Sequence, residues 1–212
     1  MDSTAAGGHT VVSAIRDAII QGEFAPNQRL VEIDLSRQFS ASRANVREAL
    51  VELTNEGLVE REQHRSARVR AVSLVEAIEI SEVRMVVEGL CAAKAAERAT
   101  EEESKELRRL GDSMADAVAG GDVLQYSELN QRLHRRVREI GAQATAERVL
   151  ERLRAQNVRH QFRLAMQPGR ASVSLGEHQE IIEAIRAKDA DAAERATRRH
   201  LRSVIEALRK MD

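Results

Sequence analysis

Proline is nearly absent from this chain, and that scarcity constrains the fold more than any other feature of the sequence. Only 2 of the 212 residues are proline, Pro26 and Pro168. Between residues 73 and 212, apolar residues recur with a period of about 3.6, with a clear interruption at Pro168-Gly169. Proline breaks helices, and this period places apolar residues on one helical face. The sequence therefore predicts a mainly α protein.

Six helices are expected in residues 73–212, the second region of the chain. Their predicted ranges are 74–98, 101–119, 122–140, 144–165, 172–187 and 189–210. Consecutive amphipathic helices with short connections pack as antiparallel neighbours. The region is therefore predicted to be an antiparallel helical bundle of about six helices.

The first region has shorter periodic segments and more turn signals. Its apolar residues predict three helices, the third beginning after Ser42 and ending at Gly57. An alternating stretch over 58–70 predicts a small β-hairpin wing. Three helices and a hairpin form a winged helix-turn-helix, so we predict two domains, 1–72 and 73–212.

The start of the third predicted helix carries polar side chains opposite its apolar face. These outward residues are Ser42, Arg43, Asn45 and Arg47. A recognition helix offers its N-terminal end to the major groove of DNA, where arginine pairs with guanine and asparagine with adenine. The pattern therefore predicts contact with double-stranded DNA.

Arginines are also concentrated on the predicted hairpin. They are Arg61, Arg65, Arg68 and Arg70. Residues 1–72 hold nine arginines but ten acidic residues, so the region is not basic overall. A local cluster fits a wing that contacts the DNA backbone or minor groove. It fits equally a solvated hairpin that carries arginine for solubility, and composition alone does not decide.

The ordered segments 22–32, 35–39, 42–50 and 53–59 closely resemble the DNA-binding domain of GntR-family transcription regulators. The resemblance implies a homodimer that reads operator DNA. It implies DNA contacts from Arg37, Ser42, Arg43, Arg47 and the wing tip, which consists of His64, Arg65 and Ser66.

Three positions depart from the residues usual in that family. The family usually has proline at the position of Asn45, and glycine at the positions of Ser40 and Ser66. Asn45 adds a donor and an acceptor that could read a base. Ser66 argues against a wing that approaches the minor groove as closely as glycine permits. The operator sequence therefore cannot be copied from those of relatives.

Four of the six histidines lie in the second region, and three of them have a spacing that suggests a common centre. Asn130 and His134 are four residues apart and share a helical face. His178 and His200 lie at similar distances on either side of a predicted helical turn. Three imidazoles and an amide oxygen would bind a divalent metal, zinc or nickel-like. The alternative is that the spacing arises by chance.

The segments 82–88, 130–134, 178–185 and 189–201 resemble the all-helical FCD-type effector domain of the FadR subfamily of GntR regulators. The resemblance implies an effector-binding and dimerisation domain. Metal-binding members of that family have aspartate at the first ligand position, where this chain has Asn130. The remaining ligands correspond to His134, His178 and His200.

The same resemblance implies a small carboxylate, or organic-acid, effector. Arg84 is a candidate to bind it, because a guanidinium pairs bidentately with a carboxylate. Arg159 and Arg163 are further candidates. Arg84 fits equally well a structural ion pair with Glu88, four residues later.

Three functions follow from these observations. The first is a cytoplasmic, effector-responsive DNA-binding regulator, usually a repressor and not an enzyme. The second is a helical-bundle metalloenzyme acting on a small organic acid, since the proposed ligands leave coordination positions open. The third is an architectural DNA-binding protein without an effector. The single cysteine excludes an internal disulfide, and no apolar run approaches the roughly 18 residues of a membrane helix.

Overall fold

A computed structural model of the chain describes residues 3–61 and 67–211, with side chains from residue 11 onward. Its contacts divide the chain into two compact units. The first comprises the described residues up to Ser73 together with Arg154–Arg159. The second comprises Leu74–Leu153 and the described residues from His160 onward.

The N-terminal unit consists of three helices and a small sheet. Its elements are α1 (Ser3–Gln21), β1 (Arg29–Leu30), α2 (Glu32–Gln38), α3 (Arg43–Asn55), β2 (Val59–Glu60) and β3 (Ala67–Val69). The strands form an antiparallel sheet in the order β1-β3-β2. Leu30 pairs with Ala67, and Val59 pairs with Val69. These four side chains are buried with those of α1 and α3, so the sheet and the helices share one core.

The C-terminal unit is a helical bundle. Its elements are α4 (Leu74–Arg98), α5 (Glu101–Ala119), α6 (Val123–Gly141), α7 (Ala144–Ala165), α8 (Arg170–Arg186) and α9 (Ala190–Arg209). α4 packs along α9 and also contacts α6 and α8. Ala92, Ala95 and Ala96 on its inner face are fully buried. Their small side chains let the neighbouring helices approach closely, and α4 therefore occupies the centre of the bundle.

Side-chain caps explain where several helices begin. Thr100 and Glu103 form a capping box at the start of α5, each side chain accepting from the other's backbone N–H. Asp122 caps α6 and Asp189 caps α9 by accepting from first-turn backbone N–H groups at 2.9 and 2.8 Å. The caps on α6 and α9 fix the start of two helices that carry residues of the site described below.

The predicted mainly α fold class is confirmed, with a winged helix-turn-helix followed by a helical bundle. The bundle helices agree with their predicted ranges to within two residues at each end. β1 was not predicted, because a strand of two residues shows no alternation. Part of the predicted hairpin, residues 62–66, lies outside the described residues. None of the described helices is long and apolar enough to cross a bilayer.

Candidate DNA-binding face and candidate metal centre

The outward face of α3 begins at a well-defined cap. The Ser42 hydroxyl accepts a hydrogen bond from the backbone N–H of Asn45 at 3.1 Å, which explains why the helix begins at Arg43. The inward side chains of the helix are buried in the core of the unit: Val46, Ala49, Leu50 and Leu53. Ser42, Arg43 and Arg47 are exposed, and Asn45 is half-buried. The polar residues predicted to contact DNA therefore share one accessible helix end.

Glu32 on α2 lies among the cations of this face. Its carboxylate accepts from Arg47 at 3.1 and 3.2 Å, and Arg61 lies 3.9 Å away. The hydrogen bond from Arg47, assisted by the charges of Arg47, Arg43 and Arg61, lowers the pKa of Glu32. Glu32 was not predicted as part of this face, because residues 32 and 47 are brought together only by the packing of α2 on α3. This carboxylate reduces the positive potential of the face.

The other predicted DNA-binding residues are less fully described. Arg37 is exposed in the last turn of α2. Arg68 on β3 pairs with Glu60 on the adjacent strand at 2.6 Å. The predicted wing tip, His64, Arg65 and Ser66, lies outside the described residues. The contacts of this face with DNA therefore remain a prediction.

Three histidines from three different helices meet inside the bundle. They are His134 on α6, His178 on α8 and His200 on α9, and each offers a ligand nitrogen within 4.8 Å of the other two. The Nε2 atoms of His134 and His178 are 3.2 Å apart. His178 and His200 are buried, and His134 is nearly so. The predicted convergence of the three imidazoles is therefore present in the structure.

An oxygen atom contacts the Nδ1 atom of each of these rings. Glu88 lies 3.0 Å from Nδ1 of His134, and Glu177 lies 2.7 Å from Nδ1 of His200. The Tyr126 hydroxyl lies 3.1 Å from Nδ1 of His178. Histidines that bind metals characteristically hydrogen-bond their second ring nitrogen in this way, which fixes the ring orientation. These contacts orient the rings of His134 and His178 so that their Nε2 atoms face each other.

Burial keeps the central histidine neutral. Desolvation, followed by the charges of His200 and His134, lowers the pKa of His178 well below its ordinary value. Burial opposes ionisation of Glu177, but hydrogen bonds with His200 and Ser203 prevail and lower the pKa of Glu177. A neutral imidazole beside an ionised carboxylate is the protonation state that metal binding requires.

The fourth predicted ligand, Asn130, lies one turn before His134 on α6. Its Oδ1 atom is buried, and no described residue provides it with a hydrogen-bond partner. Buried acceptors of this kind are rare, because losing water without gaining a partner is unfavourable. A cation would satisfy this oxygen. The three imidazoles fit a divalent metal ion, and Asn130 remains a candidate fourth ligand one turn away on α6.

A small cavity adjoins His134 and His178. Its remaining lining residues are Glu88, Leu133, Val137, Arg138, Ile181 and Thr197. Arg138 and Thr197 were not identified from the sequence. Arg138 lies on α6 and Thr197 on α9, two of the helices that carry the site histidines. That placement is the sequence feature that could have identified them.

The three arginines predicted to bind an effector have different surroundings. Arg84 is buried, and its Nε and Nη2 atoms bond Oε1 of Glu88 at 2.8 and 2.7 Å. Arg159 donates to the backbone carbonyl of Phe24. Arg163 is exposed on α7. None of the three lines the described cavity. Arg84 forms the ion pair with Glu88, which is one of the two interpretations given for it above.

Comparisons with known families match both units. Residues 8–69 match the bacterial regulatory proteins of the gntR family. Residues 79–203 match the FCD domain.

Two curated relatives are similar over nearly the whole chain. The HTH-type transcriptional repressor RspR of Escherichia coli (strain K12) is 27% identical over 197 residues, covering 93% of this chain and 86% of the relative. A probable D-xylose utilization operon transcriptional repressor of Paenarthrobacter nicotinovorans is 27% identical over 206 residues, covering 93% and 88%. Both relatives are named as regulators, which argues against the metalloenzyme alternative.

A solved structure supports the fold. The E. coli protein McbR/YncC superposes with a TM-score of 0.78, covering 99% of each chain at 20% sequence identity. At that identity the likeness concerns the fold alone.

Proposed function

This chain belongs to the GntR family of bacterial transcription regulators and carries an FCD domain, and from that premise we propose that a small carboxylate controls its affinity for operator DNA. The carboxylate would bind in the histidine-lined cavity of the C-terminal unit, assisted by a divalent metal ion. The sign of the response is proposed to be repression, because the relatives RspR and the P. nicotinovorans protein are named as repressors. A DNA-bound role implies a cytoplasmic location.

The observation that carries this proposal is the convergence of His134, His178 and His200 beside a cavity in a chain that also has a DNA-binding unit. A structural role alone would leave little reason for three imidazoles, each oriented by a separate oxygen atom, to meet around one point. The buried and unpartnered Oδ1 of Asn130 supports a cation as the missing partner.

The residues of the site would have different roles in binding the ion. Asn130 and the three histidines would hold the ion. A bound zinc-like ion supplies a positive charge and a Lewis-acid position for an anionic oxygen. Glu88 and Glu177 accept from the Nδ1–H groups of His134 and His200, and so keep those rings turned toward the centre.

A homodimer is proposed because an operator read by two recognition helices is matched by a two-fold symmetric protein. The outer face of α4 supports this. Val83, Val86 and Leu90 are 49%, 49% and 43% exposed there, on consecutive turns. Antiparallel pairing of two α4 helices about the Val86–Val87 peptide would set Val83 opposite Leu90, and Glu79 opposite Lys94. The same register would thus bring apolar residues together and place opposite charges next to each other.

The proposal is tested by selecting an operator from random duplex DNA and measuring its affinity by fluorescence anisotropy. The measurement is made with and without Zn²⁺, and with a panel of small carboxylates. We expect at least one acid to change operator affinity by about 5- to 150-fold, the usual range of coupling between two sites. Unchanged affinity with every acid would favour the architectural DNA-binding alternative. Chemical conversion of an acid would favour the enzyme.

A further inference from the structure

A short segment of α7 belongs to the N-terminal unit, although the helix begins and ends in the C-terminal one. The segment is Arg154–Arg159, less than two turns in the middle of Ala144–Ala165. The side chain of Ala155 packs against the core that α1, α3 and the small sheet share. The N-terminal unit is therefore completed by residues that come much later in the chain.

Gln156 in this segment binds the end of α3, the predicted recognition helix. Its Nε2 atom donates to the backbone carbonyl oxygen of Glu56 at 2.6 Å. Glu56 is the C-cap of α3, and the carbonyls at the end of a helix have no partner within that helix. The hydrogen bond from Gln156 therefore satisfies a carbonyl that α3 itself cannot pair.

The chain at this end of α3 is fitted closely to both α1 and α7. Arg16 on α1 donates to the two carboxylate oxygens of Glu56 at 2.8 and 2.6 Å. Gly57 has φ 76°, and a side chain in its place would collide with the amide group of Gln156. Glycine at this position thus permits both the left-handed turn and the approach of α7.

Arg159 attaches the same segment to a second point of the unit. Its guanidinium donates to the backbone carbonyl of Phe24, in the connection between α1 and β1. Gln156 and Arg159 are three residues apart and share one helical face. Both donate to main-chain oxygens, so this face of α7 holds the course of the backbone of the N-terminal unit.

These contacts lie at the end of α3 that does not read DNA in the predicted arrangement. Ser42 caps the opposite end, and the 13 residues of the helix separate the two ends by about 20 Å. Gln156 can therefore fix α3 without obstructing the exposed side chains of Arg43 and Arg47. The contact is compatible with bound operator.

We propose that Gln156 is a positioning residue: from α7 it holds the C-terminal end of α3 and so sets how the N-terminal end of α3 meets the operator. The inference rests on the proposed role of α3 in binding DNA and does not require an effector. Reading a base demands precise placement of the side chains that contact it. Non-specific binding comes from attraction to phosphate and depends much less on that placement.

Gln156→Glu and Gln156→Lys in the full chain test this without any acid added. Fluorescence anisotropy measures the affinity for an operator and for a random-sequence duplex. Gln156→Glu keeps the shape but removes the donor, and should weaken operator binding by about 5- to 100-fold, the usual effect of leaving a buried polar group unpaired. Its affinity for the random duplex should change by less than about twofold. Gln156→Lys keeps a donor and places a cation at a helix C-terminus, so its operator affinity should stay within about threefold of the wild type.

Gln125→Glu at the exposed start of α6 is the matched control and should bind both duplexes like the wild type. Equal operator affinity of Gln156→Glu and wild type would overturn the inference. An equal loss in Gln156→Lys would do the same, because the donor would then not matter. So would an equal loss on both duplexes, which is what an unfolded N-terminal unit or a general charge effect would produce.

Arg43→Ala, measured beside these variants, separates the inference from the proposed DNA-binding face. A loss of operator affinity in Arg43→Ala without one in Gln156→Glu would leave the face intact and overturn the positioning role. An operator-specific loss in Gln156→Glu that Gln156→Lys recovers would support the positioning role even if Arg43→Ala binds like the wild type.

Discussion

At the residue scale, the candidate DNA-binding face balances exposed arginines against one carboxylate, that of Glu32. Arg43 and Arg47 are exposed at the start of α3, while Glu32 holds Arg47 and lowers the local potential. Binding DNA therefore requires phosphate or base acceptors to compete with Glu32 for Arg47. A face arranged in this way favours specific sites over general attraction to DNA, because part of its charge is neutralised in the free protein.

Arg43→Ala should weaken operator binding by about 1–3 kcal/mol if Arg43 reads a base. Glu32→Gln should act in the opposite direction and strengthen binding to any duplex, most visibly at low salt. Both are measured by fluorescence anisotropy, with Arg195→Ala on the exposed face of α9 as the control. If Arg43→Ala binds the operator as tightly as the wild type does, Arg43 does not contact the DNA.

Asn130 allows a second test at the same scale. Asn130→Asp supplies a charged ligand and should tighten Zn²⁺ binding, whereas Asn130→Leu removes the oxygen and should weaken it by about 10- to 100-fold. Competition with a chromophoric zinc chelator measures both affinities. If Asn130→Leu binds Zn²⁺ as tightly as the wild type, Asn130 is not a ligand.

At the element scale, the start of the α6–α7 connection shows how closely the helices of the bundle are fitted. Gly141 ends α6 against α4, and a Cβ atom there would lie 2.6 Å from the backbone carbonyl oxygen of Cys91. The next residue, Ala142, adopts a left-handed conformation with φ 47° that glycine would occupy with less strain. Both positions thus favour glycine, although only the first of them has it.

Gly141→Ala should lower the free energy of unfolding by about 1–3 kcal/mol, because backbone must move to admit the methyl group. Ala142→Gly should raise it by about 1 kcal/mol by relieving the left-handed strain. Urea unfolding followed by circular dichroism measures both. Equal stability of Gly141→Ala and the wild type would show that α6 and α4 can separate at this point without cost.

The same scale shows what the sequence could and could not predict. The long helices α4–α9 followed from periodicity, because each repeats its pattern over several turns. The convergence of His178 and His200 followed from the antiparallel turn between α8 and α9. The ion pair of Arg138 on α6 with Glu147 on α7, 2.9 Å apart, did not follow, since it forms only when the two helices pack. Glu32 was not predicted either, because its contact with Arg47 also depends on how two helices pack.

At the scale of the whole molecule, the account depends on two copies acting together through α4. Val86→Arg should convert the dimer to a monomer, because a charge would be buried at the centre of the apolar contact. Sedimentation velocity detects the change. Val173→Arg on α8, at a position 55% exposed, is the control and should leave the dimer intact. A dimer that tolerates Val86→Arg would place the interface elsewhere.

We propose that the histidine cluster communicates with the DNA-binding unit. The most direct test of this proposal is the ratio of operator Kd values with and without an active carboxylate, measured in Zn²⁺ for wild type and for His134→Gln. We predict that His134→Gln binds the operator with wild-type affinity in the absence of the acid, while its ratio falls to about one. A ratio in His134→Gln equal to that of the wild type would contradict the account.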